Sequence, residues 1–239
     1  MKYARLVMED IYCNVIIVPY SFEKIENMRA RRFFSLYKKL YSLCKYSIVF
    51  PNLPERLKTR MESDGVRIAD GSSVNIKYIG EFIKRVGSYS SSVGLYCKKI
   101  NESSVSLMYA LAEITSVLYI FTADPENASF ISDKVFSQCG TPVNISSDFS
   151  KAKNTDILVA TDTVDFALSP KTKLLDIFSK NNYGISGFYF SIPEKYREIS
   201  SLCGAERDSG YVEFLDFLGA DLRGIRIIGI KQRREKTSL

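Results

Sequence analysis

The chain of 239 residues contains no histidine and no tryptophan. Without histidine it has no Ser–His or Cys–His nucleophile pair, no histidine general base and no histidine metal ligand. Any acid–base chemistry therefore falls to lysine, aspartate, glutamate, tyrosine or cysteine. A zinc site is also disfavoured, because the cysteines are scattered and zinc binds clustered nitrogen and sulfur ligands.

Cysteine and long apolar runs are scarce as well. The 5 cysteines are odd in number and none forms a C-x-x-C pair, which is typical of free thiols in a reducing cytoplasm. No apolar run approaches the roughly 20 residues that a membrane-spanning helix needs. Glu9 and Asp10 interrupt the N-terminus before a signal-like core can form. We therefore expect a cytoplasmic protein that does not span a membrane.

What is present is an ordinary globular composition with an uneven charge. Hydrophobic residues make up 46% and charged residues 25% of the chain, as in soluble domains. About half of the net charge of +6 comes from residues 231–236, which include Arg233, Arg234 and Lys236. These residues are candidates for binding nucleic acid or an anionic surface. A solvated terminal tail is the commoner arrangement, so we do not expect nucleic acid as a partner.

Strand and helix patterns alternate between residues 92 and 160. Four apolar runs predict strands buried in a sheet: 93–97, 117–121, 142–145 and 156–160. Asn101 and Asp124 precede segments of helical spacing and are suitable N-caps, the second with Pro125 at the first helical position. This alternation predicts a parallel sheet with right-handed crossovers.

Parallel sheets bind ligands outside the carboxyl ends of their strands, where the strand order reverses. That rule selects the three loops 98–104, 122–124 and 161–165. Asp162 and Asp165 are expected to cap a following turn there, and as an alternative they would hold a cation or ribose hydroxyls. The candidate cofactor-binding residues are Lys98, Asn101, Ser103, Ser104, Thr122, Asp124, Thr161 and Asp162.

Over residues 92–190 the pattern resembles the NAD(P)-binding Rossmann-like group. The first loop of that group carries G-x-G-x-x-G, whose glycines let the backbone approach the pyrophosphate, whereas residues 98–104 read KKINESS. Side chains there would fill the pyrophosphate space, and Glu102 would repel the phosphates. Asp124 lies at about the separation at which the group places an acid on the adenosine ribose, although helix capping alone explains this residue. The resemblance therefore implies a degenerate NAD(P)-binding protein.

Residues 1–90 carry a second α/β pattern. On one predicted helix, 21–45, Lys24, Arg31 and Lys38 lie opposite the apolar face and are expected to be solvated. Further strands are predicted at 11–18, 47–50 and 66–68, and further helices at 54–63 and from Ser73 onward. An N-terminal α/β domain is therefore expected.

The small polar residues 87–92 form the best linker in the chain. We therefore predict an N-terminal α/β domain at 1–90, followed by a Rossmann-like parallel-sheet domain at 91–239. This layout resembles shikimate dehydrogenase-like two-domain proteins, and residues 14–19, NVIIVP, resemble their N-V-T-x-P substrate loop.

The remainder of the second domain continues the α/β pattern. We predict a short helix at 174–178, a strand at 185–190, helices at 194–202 and 211–218, and a strand at 225–230. The two later helices are expected to return to the N-terminal part, ahead of the basic tail.

The leading hypothesis is a non-catalytic ligand-binding or interaction protein with an eroded dinucleotide-binding loop. Its partner would be a nucleotide-like small molecule, NAD(P) or another nucleotide, with Lys98 and Lys99 reaching a phosphate through their side chains. The alternative is an NAD(P)-dependent dehydrogenase-like enzyme acting in the interdomain cleft, with Lys98, Asp124 and Asp162 as candidate groups. Saturable binding of NAD(P) separates the two hypotheses.

Overall fold

The computed structural model describes residues 2–8, 11–17, 24–25, 27–41, 46–48, 55–87, 92–178, 180–181, 183–203 and 206–233. The chain divides into two compact units. Unit 1 comprises Met1–Gly71 and Tyr189–Gly229, and unit 2 comprises Ser72–Phe188 and Ile230–Leu239. The predicted boundary near residue 90 stays a prediction, because residues 88–91 lie outside the described residues.

The helices and strands follow one another in this order: β1 (Lys2–Met8), β2 (Ile11–Ile17), α1 (Ala30–Tyr41), β3 (Tyr46–Ile48), α2 (Glu55–Ser63), β4 (Arg67–Ala69), α3 (Ser72–Lys77), α4 (Ile79–Val86), β5 (Val93–Cys97), α5 (Glu102–Ala112), β6 (Leu118–Thr122), α6 (Pro125–Cys139), β7 (Val143–Ser146), a 3-10 helix (Phe149–Asn154), β8 (Ile157–Ala160), β9 (Lys173–Asp176), β10 (Gly184–Ser191), α7 (Glu194–Cys203), α8 (Ser209–Phe217) and β11 (Arg226–Arg233).

One seven-stranded sheet has the order β11-β10-β9-β8-β5-β6-β7. Strand β5 pairs in parallel with both β6 and β8, and the parallel pairing continues to β7 on one side and to β9 and β10 on the other. The chain therefore builds outward from β5 to β7 and then returns to β8, so that the strand order reverses between β5 and β8. This is the strand order of a Rossmann-like α/β fold. The predicted fold class and the predicted parallel pairing of residues 92–160 are confirmed.

The centre of the sheet is fully buried, as the apolar runs predicted. Every residue of β5 and β8 is buried, and Leu107, Met108 and Leu111 of α5 are 0% exposed. Helix α6 begins with Pro125 in its first turn and ends at Gly140, whose φ of 71° is left-handed. A glycine adopts that conformation without steric cost.

The predicted short helix at 174–178 is wrong, because these residues enter strand β9. Ile157 to Ala160 of β8 pair in register with Lys173 to Asp176, and Leu174, Leu175 and Asp176 are all buried. Two adjacent leucines fit one turn of a helix as well as a strand that is covered on both faces. Pairing with β8 favours the strand over the helix. A sequence pattern this short does not reveal that pairing.

The N-terminal helices are shorter than predicted. Residues 27–29 are not helical and α1 begins only at Ala30, while residues 42–45 lie outside the described residues. The helix predicted from Ser73 is two helices, α3 and α4, because Tyr78 between them has φ −100° and ψ 8°, which is not helical. Lys24, Arg31 and Lys38 are exposed, as expected.

Unit 1 contains two small two-stranded sheets, one antiparallel (β1–β2) and one parallel (β3–β4). Strand β1 was not predicted, because alternation over 2–8 is interrupted by charged residues. A separate apolar cluster fills this unit: Ile25, Met28, Phe33, Leu36, Tyr37, Leu57, Met61 and Val66. Glu213, buried on α8, accepts the backbone N–H of Gly71 at 2.6 Å.

Within the described residues, no helix has the length and apolar character needed to cross a membrane.

Substitution of Gly94 by alanine tests the packing at the centre of the sheet. A Cβ there would lie 2.8 Å from Phe121 Cε2 and 3.1 Å from both Leu158 Cδ1 and Thr155 Cγ2. Such overpacking costs about 1–3 kcal/mol, so Gly94→Ala should lower the free energy of unfolding by that amount in urea denaturation. Gly229→Ala on β11 is the matched control, because its Cβ would meet nothing closer than 3.5 Å. Equal stabilities of the two variants would contradict the packing described.

Candidate functional site

The loops that follow β5 and β8 meet at the strand-order reversal. The backbone N–H of Lys98 donates to Asp162 Oδ2 at 2.9 Å. The Lys98 ammonium lies 3.2 Å from Asp165 Oδ2, and the Lys180 ammonium lies 3.0 Å from Asp162 Oδ1. All four side chains remain partly exposed, so the ion pairs contribute little stability compared with the backbone hydrogen bond. An internal carboxylate thus bridges the loops that follow β5 and β8.

A second carboxylate joins the same two strands at their opposite ends. Asp156, just before β8, accepts the backbone N–H of Ser92 at 2.7 Å and its hydroxyl at 3.1 Å. Asp156 and Asp162 therefore make equivalent contacts across the β5–β8 pair. Only Asp162 lies at the carboxyl end, where parallel sheets bind their ligands.

The N-terminus of α5 is capped by its own side chains. Asn101 Oδ1 accepts the N–H of Ser104 at 3.0 Å, and Ser104 Oγ accepts the N–H of Asn101 at 2.7 Å. This capping box confirms Asn101 as the predicted N-cap. Ser103 lies in the first turn of the same helix, with no hydrogen bond from its side chain to another described residue of the site. Two N–H groups that could bind an anion are thus used within the protein.

Asp124 occupies the N-cap position of α6 without making a capping bond through its side chain. Its carboxylate instead accepts from the Asn127 side-chain amide at 2.9 and 3.0 Å, and its N–H donates to Thr122 Oγ1 at 3.1 Å. Helix capping by the carboxylate therefore does not explain this residue. Thr122 itself is buried at the end of β6.

A buried network holds the loop that carries Asp162. Asp176, 0% exposed at the end of β9, accepts the N–H groups of Lys180 and Asn181 at 3.1 and 2.7 Å. The Asn181 side chain accepts the N–H of Val164 at 2.8 Å and donates to the carbonyl of Asp162 at 3.3 Å. Strand β9 thus fixes both the backbone position of Asp162 and the lysine that pairs with it.

The structure places most of the predicted cofactor-binding residues in three groups. The structure brings together Lys98, Thr161 and Asp162, since the Thr161 N–H donates to the Tyr96 carbonyl at 3.0 Å beside the Lys98–Asp162 bond. Thr122 with Asp124, and Asn101 with Ser104, form two further groups. Asp162 and Asp165 bond to lysines from other loops rather than capping a local turn.

Three residues of the site were missed: Asp176, Lys180 and Asn181. The signal would have been the pairing of β9 with β8, which places the loop after β9 beside the loop after β8. Because residues 174–178 were predicted as a helix, this strand pairing was not predicted. Tyr96 and Cys97 were predicted only as residues of a strand. An apolar run predicts that their side chains are buried, but it does not show whether the hydroxyl or thiol finds a hydrogen-bond partner.

Tyr96 and Cys97 are buried at the end of β5. Burial raises the pKa of Cys97 to about 11, against hydrogen bonds to Thr122 and Ser104 that lower it. Burial, with the charges of Asp165 and Asp162, raises the pKa of Tyr96 to about 12. Both groups are therefore protonated near neutral pH, and Cys97 is not a thiolate nucleophile.

The Tyr96 hydroxyl is buried and makes no hydrogen bond to any residue that the structure describes. Most buried polar atoms in folded proteins have a partner, so an exception calls for a physical reason. The same part of the chain contains no group of three or more acidic or cysteine side chains placed to hold a metal ion. The notable chemical feature here is thus a buried hydroxyl donor without a partner among the described residues.

No family model matches the chain, and no curated protein matches it. Among solved structures it is similar to a probable ornithine cyclodeaminase from Bordetella pertussis Tohama I, at 18% identity over 44% of this chain and 36% of that one, with a TM-score of 0.35. It is similar to the Trypanosoma cruzi aspartate transcarbamoylase in complex with N-(phosphonacetyl)-L-aspartic acid, at 8% identity over 78% and 67%, TM-score 0.39. It is also similar to a shikimate 5-dehydrogenase from Mycobacterium fortuitum, at 13% identity over 84% and 69%, TM-score 0.34. The chain spans about a third of the length of the cyclodeaminase, and likenesses of this size assign it no activity.

The charge of Asp162 should make stability depend on pH. Partial burial alone would raise the pKa of Asp162, but hydrogen bonds from the Lys98 N–H and from Lys180 outweigh it and lower the pKa below its usual 3.8. A lowered pKa stabilises the fold above the unfolded-state pKa, and this stabilisation is lost as the pH falls through the folded-state pKa. Asp162→Asn should therefore cost roughly 1–2 kcal/mol at neutral pH and progressively less in acid. Urea denaturation of both proteins at a series of pH values measures the difference, and a loss independent of pH would contradict this account.

Substitution of Tyr96 by phenylalanine tests whether its hydroxyl is unsatisfied. Removing a buried hydroxyl without a partner should leave the free energy of unfolding unchanged or raise it by about 1 kcal/mol. Tyr211→Phe is the matched control, because the hydroxyl of this equally buried tyrosine donates to the Tyr196 carbonyl at 2.6 Å. That variant should lose about 1–2 kcal/mol. A similar loss in Tyr96→Phe would mean that its hydroxyl is satisfied after all.

Proposed function

We propose that this chain is a non-catalytic ligand-binding or interaction protein in which an internal carboxylate, Asp162, has taken the place of a dinucleotide phosphate. The single observation that carries the proposal is the hydrogen bond from the Lys98 N–H to Asp162 at the strand-order reversal. In a dinucleotide-binding domain, backbone N–H groups at this position face the pyrophosphate. Here a carboxylate of the protein accepts that bond.

Electrostatics supports this reading. A pyrophosphate that entered between the loops after β5 and β8, here called the crevice, would meet Asp162 and Asp165. It would have to displace one of them from its lysine. Glu102, in the first turn of α5, adds a third negative charge near the same loop. The repulsion and the lost ion pairs both act against an anionic ligand. The crevice therefore favours a ligand other than a conventional dinucleotide.

The groups available for catalysis also support a non-catalytic role. Cys97 and Tyr96 are protonated near neutral pH, and the chain has no histidine. Lys98 and Lys180 are paired with carboxylates. Among the described side chains at these loops, a general base would therefore have to be a carboxylate, and Asp162 and Asp165 are each engaged by a lysine.

A second candidate is the NAD(P)-dependent dehydrogenase-like enzyme. The observation that favours it is Asp124, which lies at the carboxyl end of β6 with its carboxylate bound to Asn127 instead of the helix backbone. Rossmann-like dehydrogenases place an acid near this point on the adenosine ribose. Calorimetric titration with NAD and NADP separates the candidates: the leading proposal expects no saturable binding, and micromolar binding would favour the enzyme.

The proposal predicts that removing the internal carboxylate creates an anion site. Asp162→Asn releases Lys180 and weakens the hold on the Lys98 N–H, so inorganic pyrophosphate at low ionic strength should bind this variant at least roughly tenfold more tightly than it binds the unaltered protein. Thermal shift and calorimetry with pyrophosphate measure the change.

Asp156→Asn is the matched control. It removes the same charge from the other end of the β5–β8 pair, where its carboxylate also accepts a backbone N–H, and it should leave pyrophosphate binding unchanged. An equal gain in pyrophosphate affinity in the two variants would mean that the gain comes from the change in net charge alone. No response in Asp162→Asn would refute the replacement of a phosphate by Asp162.

A further inference from the structure

The hydroxyl of Tyr96 is buried near the carboxyl end of β5, the end at which the candidate site lies. Tyr96 is the penultimate residue of β5, two positions before Lys98, and the residue is 0% exposed. Its hydroxyl is without a hydrogen-bond partner among the described residues. A buried donor of this kind carries the cost of its lost hydration with nothing to offset it.

The ring of Tyr96 is surrounded by apolar side chains, here called the Tyr96 cluster. Its ring centroid lies 5.3 Å from that of Phe149 and 5.1 Å from that of Phe166, at interplanar angles of 79° and 83°. Phe149 and Phe166 stack on each other at 5.8 Å. Its buried members include Tyr96, Phe121 and Leu158, and the partly buried Phe149, Phe166 and Tyr119 pack against them. An aromatic guest would find three ring faces or edges here.

The cover of this cluster is a loop without regular structure. Residues 161–172, which connect β8 to β9, form neither a helix nor a strand, although a crossover between parallel strands usually contains a helix. The half-buried Phe166 belongs to this loop. Its neighbour Asp165 is attached through the exposed ion pair with Lys98, and Val164 through Asn181. Residues 161–164 are thus held by buried or partly buried hydrogen bonds, whereas Asp165 and Phe166 are held by an exposed ion pair and by packing. A short segment held in this way opens at low free energy.

We propose that the Tyr96 hydroxyl donates a hydrogen bond to a small, planar, uncharged ligand with an exposed lone pair, such as a carbonyl or a nitrile, which stacks on Phe149 in the place now taken by Phe166. This inference rests on the proposed function and names the ligand class of that site. The stacked rings of Phe149 and Phe166 leave no slot between them, since a guest needs about 3.5 Å on each side. Phe166 therefore moves with its loop when the ligand enters.

The chemistry of the cluster selects a neutral ligand. Tyr96 is a donor because its hydroxyl stays protonated near neutral pH. The carboxylates of Asp162 and Asp165 disfavour an anion nearby, and the apolar side chains disfavour any ion that would lose its hydration. A neutral acceptor satisfies the hydroxyl without adding a charge.

Benzonitrile is the probe, and toluene, which has the same ring and no acceptor, is its control. Binding to the full chain is measured by chemical-shift titration, and the nitrile stretching band of bound benzonitrile is recorded by infrared spectroscopy. We expect saturable binding, with a nitrile band shifted to higher wavenumber by the hydrogen bond. Tyr96→Phe should bind benzonitrile roughly three- to tenfold more weakly, the loss of one hydrogen bond, and should lose the band shift.

Two controls separate the hydroxyl from the packing. Tyr119→Phe removes a hydroxyl from the border of the same cluster and should bind benzonitrile with unchanged affinity and band position. Toluene should bind Tyr96→Phe as well as it binds the unaltered protein, which also shows that the variant is folded.

Three outcomes would overturn the inference: no saturable benzonitrile binding, equal benzonitrile affinity in Tyr96→Phe, or a nitrile band that does not depend on Tyr96. None of these outcomes bears on the proposal that Asp162 takes the place of a phosphate. The pyrophosphate titration tests that proposal independently. Conversely, tight NAD(P) binding would refute the proposed function whatever benzonitrile does.

Discussion

The parallel pairing of β5 with both β6 and β8 is the constraint on which the rest of the structure depends. Because β5 has a parallel neighbour on each side, the loops after all three strands emerge at one edge of the sheet. The order reverses at the β5–β8 pair, so the two loops there diverge and leave a crevice. This geometry places the loops that carry Lys98, Asp124 and Asp162 and the buried tyrosine at the end of β5, and the pairing of β9 with β8 adds Lys180 and Asn181.

The crevice differs from that of a dinucleotide-binding domain in the groups that accept hydrogen bonds from its backbone N–H groups. Glycines in the first loop usually leave N–H groups open to a phosphate. Here the Lys98 N–H is bound by Asp162 and the Ser104 N–H by Asn101. A carboxylate that is part of the fold binds without the entropy loss of a separate ligand. A free phosphate therefore competes at a disadvantage, apart from any repulsion.

The sequence predicts the centre of this fold well and its surroundings less well. The buried runs of β5 and β8 and the N-cap Asn101 have local causes, namely apolar patterning and side-chain capping, so they are legible in the sequence. Strand β9 has no such local cause: Leu174 and Leu175 become a strand only because β8 pairs with them. The same error concealed Lys180 and Asn181, whose roles depend on the neighbourhood of two loops separated in sequence.

Tyr96 is a second feature that the sequence pattern does not predict, and here the reason is energetic. In the pattern of β5 it is one more large apolar residue, and its burial agrees with that pattern. Phenylalanine would fill the cluster equally well and would bury no hydroxyl. The tyrosine is therefore unfavourable in the closed state and becomes favourable only when something accepts its hydrogen bond. The proposed replacement of a phosphate by Asp162 and the proposed role of Tyr96 as a neutral donor agree with each other, because both would favour uncharged ligands over charged ones.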